Sequence, residues 1–147
     1  MQLKGDTLAF SGSLQGGADQ DVDGSVASIR HALGQENLNE LKLEVAIAQV
    51  EDLIMPMISR LPANVKLEIH GAELVKIVDL LCEGNGADIH IEAVEHLFNQ
   101  LAHYASGAHV AWPHRVPATQ VSLGLILLRE VMHHIGLRSV SVIQQTN

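Results

Sequence analysis

Near the end of the chain, apolar residues recur at the spacing of one helical face. Five of them follow one another at intervals of four, three, four and three: Val121, Leu125, Leu128, Met132 and Ile135. This period is that of an α-helix, for which Thr119 is the predicted N-cap and Gly136 the residue after the last turn. Residues 139–143 then alternate polar and apolar types as a short strand does. A helix followed directly by a strand needs a sheet to pack against. We therefore predict that the residues before this helix form that sheet.

The upstream chain divides into further elements by the same criteria. Alternation predicts strands at residues 7–14 and 65–69, and helical spacing predicts helices at residues 26–33, 74–81 and 91–104. Residues 36–61 are ambiguous, because 41–48 (LKLEVAIA) alternate as a strand while apolar residues keep a helical period from Leu43 to Leu61. We interpret the stretch as a helix whose final turns are kinked or opened by Pro56.

The composition indicates one folded domain with no affinity for nucleic acid. The chain has 147 residues, 47% of them hydrophobic and 18% charged, and a formal net charge of −8. This length supports one core, and we predict a single α/β domain, residues 1–147, with a small mixed sheet flanked by helices. A strongly negative chain repels the phosphates of nucleic acids and of anionic membranes.

Cysteine content and hydropathy favour the cytoplasm. Cys82 is the only cysteine, so no disulfide framework or thiolate metal cage exists, and we expect a buried thiol. The first ten residues lack the features of a signal peptide. Apolar stretches fall short of the roughly 20 residues that span a bilayer. We expect a cytoplasmic protein with no membrane span and no cofactor.

Residue types that bind metals occur in two places, but neither forms a complete motif. Residues 19–24 (DQDVDG) begin like a calcium loop, yet Arg30 stands at the twelfth position, where a bidentate glutamate is required. Acids that begin a helix explain this run through the helix dipole. Glu92, His96 and His103 share a helical face, but the two histidines are separated by about 10 Å of helical rise. We predict no metal site, with Glu92 and His96 as weak candidates.

Catalytic motifs are absent from the sequence. It contains no G-x-S-x-G, no G-x-x-x-x-G-K-[ST] and no G-x-G-x-x-G. His133 and His134 are adjacent and therefore about 100° apart on the helix, so they cannot readily chelate one ion together. Their place in the last turn suits the helix dipole.

A series of segments in the second two thirds of the chain resembles a known family. They are LIMPMISRLP, VKLEIHGAEL, DIHIEAVEHLFNQL, PHRVPATQV, LGLILLREVMHHIGL and SVSVI. Their order and spacing resemble the C-terminal actin-like (ribonuclease H-like) domain of the exopolyphosphatase and guanosine pentaphosphate phosphatase family. TLAFSGSLQGGA is similar, more weakly, to the strand and turn that open that domain. The resemblance implies half of an actin-like fold.

The resemblance also implies positions for functional residues, and the sequence departs from the family there. The family's phosphate-binding turn corresponds to four residues that have lost its glycine- and threonine-rich character: His70, Gly71, Ala72 and Glu73. The carboxylate of Glu73 would compete for the backbone amides and repel phosphate. Arg115 marks the loop before the last helix, and Gly124 is where we expect close packing of that helix on the sheet. The family's preceding catalytic domain has no counterpart in these residues.

These departures predict a non-catalytic binding or regulatory module, derived from an exopolyphosphatase-like domain, that acts through protein contacts or self-association. A phosphate or nucleotide ligand is not expected. One alternative is a STAS-like partner-switch module, with strands at residues 5–14, 41–48, 65–69 and 87–92. Another is a subunit of a two-chain phosphatase that a second actin-like chain completes. The conformation of residues 41–48 distinguishes the first two.

Overall fold

The computed structural model describes residues 1–12, 20–61, 67–70, 72–82 and 88–142. These residues contain six strands: β1 (Gln2–Lys4), β2 (Thr7–Gly12), β3 (Gln20–Ser25), β4 (Glu68–Ile69), β5 (Asp88–His90) and β6 (Ser139–Val142). They contain five helices: α1 (Ala27–Leu33), α2 (Glu40–Ile58), α3 (Ala72–Leu81), α4 (Ile91–Ala105) and α5 (Ala118–Ile135). The predicted α/β class, with a small mixed sheet flanked by helices, is confirmed. Within the described ranges, no helix combines the length and apolar character needed to cross a bilayer.

The strands form two three-stranded sheets. The first is an antiparallel meander in the order β1-β2-β3. The second has the order β4-β6-β5, in which β6 runs parallel to β4 and antiparallel to β5. A parallel bridge between Gln2 and His70 links the two sheets. Its hydrogen bonds run from the amide of Leu3 to the carbonyl of His70 and from the amide of His70 to the carbonyl of Met1.

The amino group of Met1 is held at this junction. It donates to the carbonyl of Glu68 at 2.5 Å, and the Met1 side chain is buried. Burial lowers the pKa of the amino group from 8.0 to about 6, against the opposing attraction of the Glu68 carboxylate. The folded chain therefore disfavours the protonated amine.

This amine predicts a pH dependence of stability for the chain that begins at Met1. Between pH 6 and pH 8 the unfolded chain binds the proton and the folded chain does not, so the free energy of unfolding rises with pH. The contribution is complete above pH 8 and is lost as pH falls through 6, a change of about 2 kcal/mol. Urea unfolding at both pH values measures it. The Nα-acetylated chain is the control, and an equal pH slope in both chains would contradict the prediction.

The ambiguous stretch is a single long helix, α2. Its N-cap Asn39 is extended and accepts a hydrogen bond from the amide of Lys42 through its side chain. Residues at intervals of three and four face the core: Leu43, Ala46, Val50, Ile54 and Met57. Pro56 lies inside the last turn, but the helix continues to Ile58. Residues 41–48 are thus helical, and the STAS-like alternative loses one of its four strands.

Replacement of the α2 cap should weaken this helix. Asn39→Ala removes the only side-chain acceptor at the cap, so we expect a loss of about 1 kcal/mol in the free energy of unfolding. Asn39→Asp keeps an acceptor and should retain wild-type stability. Urea unfolding followed by circular dichroism measures the stability of both variants. Equal free energies of unfolding for the alanine and aspartate variants would contradict the prediction.

Helix α5 is the centre of the core. All eight residues from Val121 to Leu128 are buried, because α1, α2, α3 and α4 all contact this helix. The sequence predicts burial of one face against a sheet, which is wrong for this half of the helix. A helix that is apolar on every side needs neighbours on every side, and the other four helices provide them. Gly136 ends α5 in the left-handed conformation, with φ of 76°, as predicted.

Three further details differ from the sequence predictions. The N-cap of α5 is Pro117 rather than Thr119 and makes no side-chain hydrogen bond. The acidic run continues into strand β3 instead of beginning a helix, because residues 20–25 pair along the whole of β2. Strand β1 is three residues long, too short for alternation to reveal it, and β5, also three residues long, falls within the strand at residues 87–92 that only the STAS-like alternative predicts. Residues 13–14, 65–66 and 143 of the predicted strands lie outside the described residues.

Candidate functional site

The turn that the resemblance implies as phosphate-binding is described only in part. Gly71 and the side chain of Ala72 lie outside the described residues. His70 is half-buried and forms backbone hydrogen bonds at the junction of the two sheets. Glu73 lies in the first turn of α3, and its Oε1 atom is 3.0 Å from Nη1 of Arg30 in α1. His70 and Glu73 thus have different partners, and the role of the turn stays a prediction.

A cavity of about 670 Å³ lies between α1, α3 and the start of α5. Polar side chains form part of its lining: Arg30, His31, Glu73, Lys76, Thr119 and Gln120. A concave surface with a few converging polar groups is the usual form of a small-ligand site. Its capacity for an anion depends on whether Arg30 is free.

Arg30 is already occupied by three neighbours. Its Nε donates to Oδ1 of Asp6 at 2.8 Å, and its Nη2 donates to the carbonyl of Gly5 at 2.8 Å. Burial lowers the pKa of Arg30, but the hydrogen bonds with Asp6 and Glu73 raise it above the ordinary value overall. A phosphate would have to displace the Glu73 carboxylate, which repels it. Arg30 is therefore not free for phosphate, and the expectation that phosphate is not the ligand stays a prediction.

The weak metal candidates Glu92 and His96 lie on the exposed face of α4. Nε2 of His96 is 3.4 Å from Nε2 of Gln100, and Oε1 of the same glutamine contacts Nε2 of His114 at 2.7 Å. In the part of the chain that the structure describes, Glu92 and His96 belong to no group of three potential metal ligands. The structure brings them no third ligand.

Arg115 and Gly124 have unrelated surroundings. Arg115 is exposed in the loop before α5 and forms no ion pair with another described residue. Gly124 lies against α3 rather than against a sheet: a Cβ atom there would overlap Cδ1 of Ile77 and stand 3.3 Å from Cδ2 of Leu74. Gly124 therefore allows a close approach of α5 to α3, which is a packing role.

Cys82 is half-buried rather than buried. Burial raises the pKa of its thiol, and the carboxylates of Asp79 and Asp88 raise it further. A raised pKa disfavours the thiolate, which is the reactive form. Cys82 is therefore unsuited to nucleophilic or redox chemistry.

Helix α2 carries an exposed apolar stripe on the face away from the core. Its four members follow at intervals of four, three and seven residues, which places them on one side of the helix: Leu41, Val45, Ala48 and Met55. Leu41 is 69% exposed, Val45 38% and Met55 47%. Among the described residues, the only other large hydrophobic side chain with such exposure is Val110. The apolar stripe is therefore the main apolar surface that this part of the chain presents.

Acidic side chains border the apolar stripe, and one of them, Asp52, interrupts it four residues after Ala48 and three before Met55. Exposed carboxylates occur along the same helix: Glu40, Glu44, Glu51 and Asp52. Lys42 is the only basic residue in α2, and its Nζ donates to the carbonyls of Glu36 and Asn37 at 3.0 and 3.1 Å. The surface of α2 is therefore both apolar and negative.

A cluster of charged side chains, named here the polar cluster, joins α2, α4 and α5. It lies near the end of α5, whereas the cavity lies at the start of that helix. Its members are Glu51, Glu95, Arg129, Glu130, His133 and His134. Arg129 donates through Nε to Oε1 of Glu95 at 3.0 Å and through Nη1 to Oε1 of Glu130 at 2.6 Å. The Arg129 guanidinium also stacks 4.2 Å from the ring centroid of Phe98, which is a cation–π contact. Glu130 is only 4% exposed.

The two histidines of the polar cluster have separate partners. Nε2 of His133 hydrogen-bonds Oε1 of Glu95 on α4. Nε2 of His134 lies 3.7 Å from Oε1 of Glu51 on α2 and 3.8 Å from Oε2 of Glu130. Their different directions follow from the 100° step between adjacent helical residues. The sequence shows the four-residue spacing of Glu130 and His134, but it cannot show that Glu51 lies opposite them.

No family model, curated protein or solved structure matches the chain. The exopolyphosphatase-like resemblance therefore depends on the sequence segments alone. Function has to be inferred from the chemistry of the described surfaces.

Proposed function

We propose that this chain is a non-catalytic binding module that recognises a protein partner through the apolar stripe of α2. The observation that carries the proposal is the concentration of exposed apolar side chains on one helical face. Apolar surface bordered by polar residues is typical of an interaction site, and an amphipathic helix face commonly pairs with another helix.

The length of the apolar stripe suits a helical partner. Leu41 and Met55 are 14 residues apart, which corresponds to about 21 Å along the axis. This distance accommodates three to four turns of a second helix. Anchors on the partner at intervals of three and four residues would then contact Leu41, Val45 and Met55 in turn.

Charge decides between a foreign partner and a second copy. The acids beside the apolar stripe would face identical acids if two α2 helices paired, and like charges across an interface oppose association. Lys42, the only basic residue of α2, supplies one positive charge against the four carboxylates of the helix, so the surface remains negative. The partner that fits is a helical segment with apolar anchors flanked by lysine or arginine.

The derivation from an exopolyphosphatase-like domain is a separate part of the proposal. It is supported by the helical state of residues 41–48, by α3 opening directly after β4, and by α5 leading into β6. The absence of catalysis is supported by the occupied Arg30 and by the carboxylate of Glu73 beside it. Arg30, the arginine of the cavity, is therefore not an open cationic site of the kind that phosphoryl transfer uses.

Binding is tested with a synthetic helical peptide that has leucines at i, i+3, i+4 and i+7 and lysines on both flanks. Its fluorescence anisotropy is measured with the wild-type chain and with Leu41→Ser. The proposal predicts at least tenfold weaker binding for Leu41→Ser, because the substitution removes the most exposed apolar side chain of the stripe. The matched control is Val110→Ser, which removes an exposed hydrophobic side chain outside α2 and should bind as the wild type does.

Charge and self-association give two further outcomes. A peptide in which glutamate replaces each lysine should bind at least tenfold more weakly than the lysine peptide. Equal binding of the two peptides, or equal binding by Leu41→Ser and wild type, would overturn the proposal. A wild-type dimer in sedimentation that Leu41→Ser dissociates would show that the occupant is a second copy instead.

The non-catalytic part of the proposal has its own test. The purified chain should release no phosphate from polyphosphate or from guanosine pentaphosphate. Turnover that His70→Ala or Glu73→Gln abolishes would contradict it. Turnover that appears only when a second actin-like chain is added would favour the two-chain phosphatase.

A further inference from the structure

We propose that Glu51, Glu130 and His134 form a binding site for one divalent transition-metal ion, with Zn²⁺ as the best fit. Each residue offers one ligand atom: Oε1 of Glu51, Oε2 of Glu130 and Nε2 of His134. These three atoms all lie within 4.8 Å of one another. None of its residues belongs to the apolar stripe, although Glu51 is one of the acids beside that stripe.

The two separations that involve His134 suit a single ion, and the third, between the two carboxylate oxygens, is within 4.8 Å. Zn²⁺ binds carboxylate oxygen and imidazole nitrogen at about 2.0–2.2 Å, so two ligand atoms of one ion can be at most about 4.2 Å apart. The separations of Nε2 of His134 from the Glu51 and Glu130 oxygens, 3.7 and 3.8 Å, meet this limit. Glu130 and His134 are four residues apart on α5, which directs both side chains to the same side of the helix.

Glu130 supplies the observation that points most directly to a cation. It is 96% buried, and its Oε1 accepts a hydrogen bond from Nη1 of Arg129. No donor among the described residues hydrogen-bonds its Oε2, which is the atom directed at His134 and Glu51. This oxygen is not sealed from solvent, so an entering cation can reach it. A divalent ion at this point would satisfy it.

The residues around Glu130 hold its side chain in one orientation, as neighbouring residues usually do for metal ligands. Arg129 fixes the orientation of Glu130 through its other oxygen, and Glu95 fixes Arg129 in turn. Groups in this outer position orient the ligands of protein-bound metals. Two carboxylates facing each other repel, and the ion would relieve that repulsion.

The ligand types select among metals. Two carboxylates and one imidazole are borderline donors that suit Zn²⁺ and neighbouring first-row ions. Ca²⁺ prefers six to eight oxygen ligands and Mg²⁺ prefers octahedral oxygen coordination, which this set does not provide. The side chains of His134 and Glu51 are 30% and 47% exposed, so an ion can enter and keep a water ligand.

Titration calorimetry with ZnCl₂, after treatment with chelator, tests the site. Wild type should bind one Zn²⁺ per chain, and Glu51→Gln and His134→Gln should each weaken binding at least tenfold. Glu51 is exposed, so its variant should keep the fold, as circular dichroism would check. The matched control is the double variant Glu92→Gln, His96→Gln, which removes the same residue types from α4 and should bind as wild type does.

Melting temperatures measured with Zn²⁺ and with Mg²⁺ give a second test of the site. Zn²⁺ should raise the melting temperature of the wild type but not of Glu51→Gln, and MgCl₂ at the same concentration should raise neither. Zn²⁺ binding that survives in both Glu51→Gln and His134→Gln, or that is lost in the α4 control, would assign it to other histidines and overturn the proposal. Failure of the peptide experiment would leave this result unaffected.

Discussion

Leu125→Ala should lower the free energy of unfolding by about 2–5 kcal/mol. Leu125 is fully buried in the part of α5 that four other helices surround. Alanine has the higher helix propensity, so the loss would come from the cavity left in the core and not from the helix itself. Against a typical total of 5–15 kcal/mol, this is the largest effect that we expect from one aliphatic substitution. Urea unfolding followed by circular dichroism measures it.

The control for this prediction is the same substitution at an exposed leucine. Leu41 is 69% exposed on α2, so Leu41→Ala should change stability by no more than about 0.5 kcal/mol. Similar losses for the two variants would mean that α5 is not the centre of the core.

Arg129→Met should also be strongly destabilising, by about 3 kcal/mol. The substitution keeps much of the side-chain volume but removes the cation that faces Glu130 and Glu95. Glu130 would then be a buried carboxylate without its hydrogen bond, and the contact with Phe98 would lose its cationic component. Because Arg129 retains 23% side-chain exposure, the effect should fall at the lower end of values for buried pairs. Urea unfolding in the presence of chelator measures it without metal.

A second substitution isolates the cause. In Arg129→Met, Glu130→Leu both charges are absent, and a buried pair replaced by apolar groups of similar size is often neutral. We expect the double variant to recover most of the lost stability. A double variant as unstable as Arg129→Met would show that the loss comes from packing against Phe98 and not from the buried charge.

The long periodic elements could be predicted from the sequence. Helix α5 was evident from the spacing of Val121 to Ile135, and α2 from a period that persists past residue 48 despite local alternation. The short strands were harder to predict: three residues carry too little pattern to reveal β1, and β5 was included only in the STAS-like alternative. Strand β3 is defined by its pairing with β2, and its acids are equally suited to the start of a helix.

The candidate sites were predictable only where their residues share one element. Glu92 and His96 were recognised by their spacing, but the structure gives them no third ligand. Glu130 and His134 have the same four-residue spacing, and their importance comes from Glu51, which is 79 residues before Glu130 and reaches them only when α2 packs on α5. The apolar stripe was equally hard to identify, because the alternation of residues 41–48 groups Leu41 and Val45 with Leu43, which is buried in α2.

The central claim is that α2 binds a partner and that the chain performs no catalysis. Its most direct test is a ¹⁵N chemical-shift titration of the wild-type chain with the lysine-flanked leucine peptide. The proposal predicts shifts at Leu41, Val45, Ala48 and Met55, and none around the cavity at Lys76 and Thr119. Shifts at the cavity with an unchanged α2, or no binding by a peptide of this charge, would contradict it.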